Sequence, residues 1–325
     1  MQRFILALAI APSLWLPAVL PAHAQTFPSR AIKIIVPFAP GASSDATARA
    51  LAQELGARLG QTVVVENNGG GGGVTGLQQM ARSSPDGHTL GIGAAGATVI
   101  TPLMPGAPEQ WNPAKDLQPV ARIVDVPLVI VANPASGPKS LADLVANAKA
   151  ASDGMTYGST GTNSGMHLAI EYLAFKTSAK LVHVPYRGSA PAVMDAVAGQ
   201  IPFVAVDLTS ALPLIEGGKV TGLAVITSKR VPFAPNIPSM GELGYTDFDS
   251  SPFLGLFAPM GTPLAIVKAL SQHVREIVAK PEFQKQMHTV ALVPAFLDDA
   301  GFAKFLDEDR ARWRVMLKAI GKDKG

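Results

Sequence analysis

Two stretches of the chain set small polar residues where an apolar strand pattern gives way to a helical one. The first is Pro37-Phe38-Ala39-Pro40-Gly41-Ala42-Ser43-Ser44-Asp45. The second runs from Tyr157 through Gly158-Ser159-Thr160-Gly161-Thr162-Asn163-Ser164 to Gly165-Met166-His167. A helix that opens in such a loop exposes unpaired backbone N–H groups and the positive end of its dipole, so it binds an anion without a lysine or arginine. Each such end contributes about 0.3–1 kcal/mol, and up to about 2 kcal/mol when partly buried. Ser43, Ser44, Asp45, Thr162 and Ser164 are also ordinary helix-capping types, so capping and anion binding both fit either loop alone. Two such loops at equivalent points of two similar patterns favour a ligand, because open α/β sheets bind ligands beyond the carboxyl ends of their strands.

Other chemistries fare worse. Gly71-Gly72-Gly73-Val74-Thr75-Gly76 matches a dinucleotide fingerprint, but the acid expected about 20 residues later is missing, since Leu90, Gly91 and Ile92 are neutral. These glycines read as a structural loop. The chain has 0 cysteines, which removes disulfides, thiolate metal sites and cysteine nucleophiles together. His88, His167, His183, His273 and His288 form no HExxH and no i,i+4 pair, and no Gly-x-Ser-x-Gly elbow occurs. No metal and no cofactor are therefore expected. His167 is expected to bond the loop backbone rather than a ligand, and Arg187 to face solvent. The surviving enzymatic alternative is an exported α/β enzyme acting on a small carboxylate or ester.

The elements that must position these loops alternate along the chain. Apolar β-branched runs at 31–37, 62–66 and 89–92 are followed by helical patterns at 46–59 and from the glycines to Arg82. A second set follows, with strands at 127–134, 155–157, 181–184, 203–206 and 222–226 and helices at 141–151, 164–176, 190–198 and 210–217. After a strand at 253–259 come three helical stretches at 264–279, 281–287 and 299–320. Alternation predicts mostly parallel sheets flanked by helices, and so many strands predict two lobes. With the C-terminal helices returning to the first lobe, residues 25–124 and 252–325 form one lobe and 125–251 the other, joined by a hinge.

Composition agrees. Of the 325 residues 48% are hydrophobic and 16% charged, which supports a substantial core. A net charge of +3 without any basic cluster argues against a nucleic-acid partner. Arg3, the apolar run Phe4–Leu20 and Ala22-His23-Ala24 read as a signal peptide over 1–24, cleaved before Gln25, and so as export to the periplasm.

Further motifs stand in order: Pro-Phe-Ala-Pro-Gly at 37–41, Val-Val-Val-Glu-Asn at 63–67, Pro-Asp-Gly at 85–87, Val-Pro-Tyr-Arg-Gly-Ser-Ala-Pro-Ala at 184–192, Ser-Ala-Leu-Pro at 210–213 and Gly-Leu-Phe-Ala-Pro at 255–259. Through them the whole mature chain resembles the Bug-type extracytoplasmic receptors of tripartite tricarboxylate transporters. The resemblance implies a two-lobe periplasmic binding protein of type II, a monomer that holds a small mono- or dicarboxylate in its cleft and serves a transporter membrane subunit or a sensor. It carries ligand-binding roles onto Ala39, Gly41, Ser43, Ser44 and Asp45, onto Ser159, Thr162, Asn163 and Ser164, and onto Gly188 and Ser189.

Two departures bear on the ligand. Asn67-Asn68-Gly69-Gly70-Gly71-Gly72-Gly73 lacks the Arg and Pro usual in the family, and Asp207 stands where the family usually has Asn. The resemblance sets Asp207 at the mouth of the cleft. A carboxylate about 4 Å from a ligand carboxylate is repelled by roughly 4 kcal/mol at an effective dielectric of about 20. Asp207 therefore turns away and caps the helix at Ser210, is protonated, or meets a donor on the ligand.

Overall fold

The computed structural model describes residues 27–38, 40–246, 248 and 252–324; the expected signal peptide and Ala39 lie outside them. The chain opens with β1 (Ile32–Val36), α1 (Ser43–Leu59), β2 (Val63–Asn67), α2 (Val74–Ala81), β3 (Thr89–Ala94), α3 (Pro113–Asp116) and β4 (Leu117–Asp125). It crosses into β5 (Leu128–Ala132), α4 (Leu141–Ala150), β6 (Met155–Ser159), α5 (Gly165–Thr177), β7 (Leu181–Pro185), α6 (Ser189–Val197), β8 (Phe203–Asp207), α7 (Leu208–Glu216) and β9 (Thr221–Val225). It then returns through β10 (Phe253–Pro259), α8 (Leu264–Val278), α9 (Pro281–Thr289), β11 (Val293–Leu297) and α10 (Asp299–Ala319).

These strands form two sheets, a six-stranded one in the order β11-β4-β10-β3-β1-β2 and a five-stranded one in the order β7-β6-β8-β5-β9. The continuous apolar runs occupy the interiors of both. All five residues of β5 and all seven of β10 are buried, as expected of strands covered on both faces. The sheets are mixed rather than mostly parallel. β1 pairs parallel with β2 and β3, and β6 with β7 and β8, whereas β10 runs antiparallel to β3 and β4, and β5 antiparallel to β8 and β9. The reversal follows from the crossings: no βαβ unit brings β5 or β10 into its sheet, so nothing imposes the parallel sense on either. β4 and β11 are additions to the expected strands. Pro119 and Pro294 interrupt their local pattern, and both pair antiparallel at one side of the larger sheet.

The two crossings lie side by side. Val126, between β4 and β5, donates its N–H to the carbonyl of Pro252, just before β10, at 2.7 Å. Ahead of β5 the carbonyl of Pro127 accepts from Leu208 N–H at 2.9 Å. The C-terminal helix α10 packs on β4 and also meets α5 of the smaller sheet's layer. Its buried Trp313, Met316 and Leu317 share a hydrophobic cluster with Tyr157, Leu168 and Phe203. Among the described residues, no helix is long and apolar enough to cross a membrane.

Candidate functional site

A cavity of about 500 Å³ opens between the two sheets where the crossings meet, and Val126, Leu128 and Pro252 to Leu254 form part of its wall. Residues at the starts of four helices line it: Ser43 and Ser44 of α1, Ser164 and Gly165 of α5, Gly188 and Ser189 of α6, and Asp207 at the cap of α7. Asp207 is the one charged side chain among the described lining residues. Negative charge in this cavity is therefore met by backbone N–H groups, hydroxyls and helix dipoles, and no lysine or arginine is at hand.

The first loop divides its labour. Ala42 caps α1 without any side-chain bond, so its first turn is not closed by its own cap. Ser44 is only 2% exposed and its Oγ has no hydrogen-bond partner among the described residues, yet it lines the cavity. A buried hydroxyl without a partner is costly, and a ligand oxygen in the cavity would relieve that cost. Asp45 is 5% exposed and does not line the cavity. It holds the loop instead, accepting from Gly41 N–H at 3.0 Å, Arg49 Nε at 3.0 Å and Asn67 Nδ2 at 2.9 Å. Burial alone would raise the Asp45 carboxyl, but these donors outweigh it and hold the group below the usual carboxylate range. Gly41 is exposed, lies off the cavity wall and has φ of +85°, a backbone conformation that favours glycine.

The second loop shows the same division. Thr162, Asn163 and Ser164 line the cavity, while Ser164 Oγ also caps α5 by accepting from His167 N–H at 3.2 Å. Ser159 is fully buried and turned inward, donating from Oγ to Gly161 C=O at 3.1 Å and lying 2.7 Å from His183 Nε2. A Ser–His pair is the arrangement that activates a nucleophile, but this one lies off the cavity wall and its hydroxyl is spent on the loop backbone. His167 behaves as expected: its Nδ1 accepts from Asn163 N–H at 3.0 Å, which puts the ring proton on Nε2, beside Glu171. Burial, with the nearby His183 and Lys322, pushes the His167 imidazolium down to about 3, so the ring is neutral.

Gly188, Ser189 and Asp207 come together on the smaller sheet's side, where Ser189 Oγ donates to Asp207 Oδ2. Arg187 is exposed and lies off the cavity wall. Sequence reasoning missed several wall residues. Gly71 and Gly72, read as a structural loop, line the cavity, whereas Gly76 closes the packing behind them, since a Cβ there would sit 2.5 Å from Asn68 C=O. Ala94 to Gly96 at the end of β3, with Ile100 and Thr101, form another part of the wall. Trp313 reaches it from α10, with no local signal in the sequence to announce it.

A cavity at the crossing of two sheets, lined by helix starts, defines a two-lobe solute-binding protein. The chain belongs to the family described as tripartite tricarboxylate transporter family receptor, whose profile matches residues 47–322. It is 35% identical over 303 residues to the protein BugT of Bordetella pertussis, covering 93% of this chain and 92% of that one. The structure of the periplasmic binding protein BugD is similar at 31% identity and a TM-score of 0.80, covering 92% of this chain and 100% of that one. The structure of R. palustris Rpa4515 with adipate is similar at 28% identity and a TM-score of 0.84, covering 91% and 99%.

Proposed function

We propose that this receptor works in the periplasm after removal of residues 1–24, closing a lobe of residues 25–124 and 252–325 and a lobe of 125–251 around a small carboxylate. It acts as a monomer, performs no chemistry on the ligand, needs no cofactor or metal, and delivers its ligand to a tripartite tricarboxylate transporter membrane subunit or to a sensor. The observation that carries this reading is a cavity between the two sheets ringed by four helix starts, with Ser44, whose buried hydroxyl has no partner among the described residues, in the first turn of α1 at its wall. Ser43, Thr162, Asn163, Ser164, Gly188 and Ser189 supply the remaining polar contacts, and Gly41, Asp45 and Ser159 belong to the loops that present them. Adipate bound to the R. palustris relative supports the ligand class.

The test is thermal shift of the purified mature chain with adipate, succinate, malate and aspartate. A receptor gains RT ln(1 + [L]/Kd), about 2.7 kcal/mol at a hundred times Kd, and NMR of the mixture shows the ligand intact after a day. The shift should survive EDTA, because among the described residues no three metal-ligating side chains cluster. Absence of a shift with every carboxylate, consumption of the ligand, or loss of binding that added metal restores would overturn the reading.

A further inference from the structure

The receptor reading leaves the rest of the ligand open, and Asp207 with Ser189 narrows it. Asp207 caps α7, its Oδ1 accepting from Ser210 N–H at 2.9 Å and from Ser210 Oγ at 3.0 Å. It also lines the cavity, so capping does not turn it away from the ligand. Oδ2 accepts one hydrogen bond, from Ser189 Oγ. A carboxylate offers about four lone-pair sites, so after these three bonds one remains, on Oδ2. Ser189, whose only proton goes to Asp207, accepts weakly from Asp207 N–H at 3.4 Å and has one lone pair left for the cavity.

The cavity is therefore two-ended. At the α1 end stands a hydroxyl with no partner; at the α6–α7 end the side chains present only acceptors, Asp207 Oδ2 and Ser189 Oγ, beside the uncapped backbone start of α6. With no lysine or arginine among the described wall residues, a second ligand carboxylate at the α6–α7 end would meet a like charge at Asp207. We propose that the preferred ligand is a carboxylate carrying a hydrogen-bond donor, a hydroxyl or ammonium group, that is received by Asp207 Oδ2 and Ser189 Oγ. A plain dicarboxylate is the disfavoured form, and Asp207 is the residue that sets the discrimination. This rests on the receptor reading above.

Calorimetry on the mature chain tests it with ligands matched in length: adipate, 6-hydroxyhexanoate and 6-aminohexanoate, and the shorter succinate, 4-hydroxybutanoate and 4-aminobutanoate. At least one donor-bearing ligand should bind about 10-fold or more tighter than the dicarboxylate of its length, as expected for a hydrogen bond to a charged group. Asp207→Asn keeps the cap and removes the charge; it should shift that preference toward the dicarboxylate by about 10- to 100-fold. Asp207→Ser, whose hydroxyl also caps, repeats the measurement if the first variant does not fold. Dicarboxylates binding as well as their donor-bearing partners, or a ranking that neither variant moves, would overturn the assignment while leaving the receptor intact. If neither kind of carboxylate binds, the receptor reading itself fails and this inference falls with it.

Discussion

Ser44→Ala is expected to move stability and binding in opposite directions. Without ligand, the Ser44 hydroxyl is buried and has no partner among the described residues, so it carries a desolvation cost of about 1–3 kcal/mol. Alanine removes the hydroxyl and leaves the rest of α1 untouched, since the neighbouring Asp45 makes the bonds that hold the loop. Taking the low end, the ligand-free variant gains about 1 kcal/mol, a rise in Tm of about 2 °C for a chain of this size. With ligand bound, the same hydroxyl donates to a carboxylate, a bond of about 1.5–3 kcal/mol. Losing it weakens binding by roughly 10- to 150-fold. Scanning fluorimetry on the ligand-free protein and calorimetry with the tightest carboxylate of the panel read the two effects separately. A lower Tm with unchanged affinity would show that the hydroxyl serves the fold, and the anion site on α1 would be refuted.

Two further outcomes follow from the loops behind the cavity. His167 is held neutral down to about pH 3 in the folded state, against about 6.5 when unfolded, so the unfolded chain binds the extra proton between those values. Its contribution is full above about pH 6.5 and falls by about 1.4 kcal/mol per unit as pH drops toward 3; His167→Asn should flatten the Tm profile over that window, and an unchanged slope would exclude His167 as its source. At Gly41 the φ of +85° favours residues that tolerate the left-handed region, and the space around a Cβ is open. Gly41→Asn should therefore bind nearly as the parent, whereas Gly41→Val loses about 1–2 kcal/mol of affinity through loop strain; calorimetry giving equal losses would point to a ligand approaching that backbone instead.

The legible part of the site was its backbone frame. Both strand-to-helix loops are where the residue types set them; α5 opens at Gly165, within a residue of the expected 164, whereas α1 opens at Ser43, three residues before the expected 46, so that Ser43, Ser44 and Asp45 form its first turn. What was not legible was the direction in which neighbouring polar side chains point. Ser44 and Asp45 are consecutive, both small and polar and both buried, yet one lines the cavity and the other binds Arg49 and Asn67 behind it. Likewise Ser159 turns inward to His183 while Thr162 to Ser164 face the cavity. Residue type reports that a hydrogen bond is needed; its partner comes from another part of the chain.

Local pattern alone determined the strands at β5 and β10, because a strand covered on both faces carries an unbroken apolar run that leaves a signature in consecutive residues, and it determined β1, whose apolar run is broken only by the exposed Lys33. It also determined the glycine and hydroxyl loops, whose backbone demands are met within a few residues. Tertiary structure decided the rest: the antiparallel insertion of β10 between β3 and β4, the hydrogen bond from Val126 to Pro252 that joins the crossings, and the arrival of Trp313 at the cavity from the last helix. Each depends on residues more than a hundred positions apart, and burial periodicity records only that a face is covered, never by what.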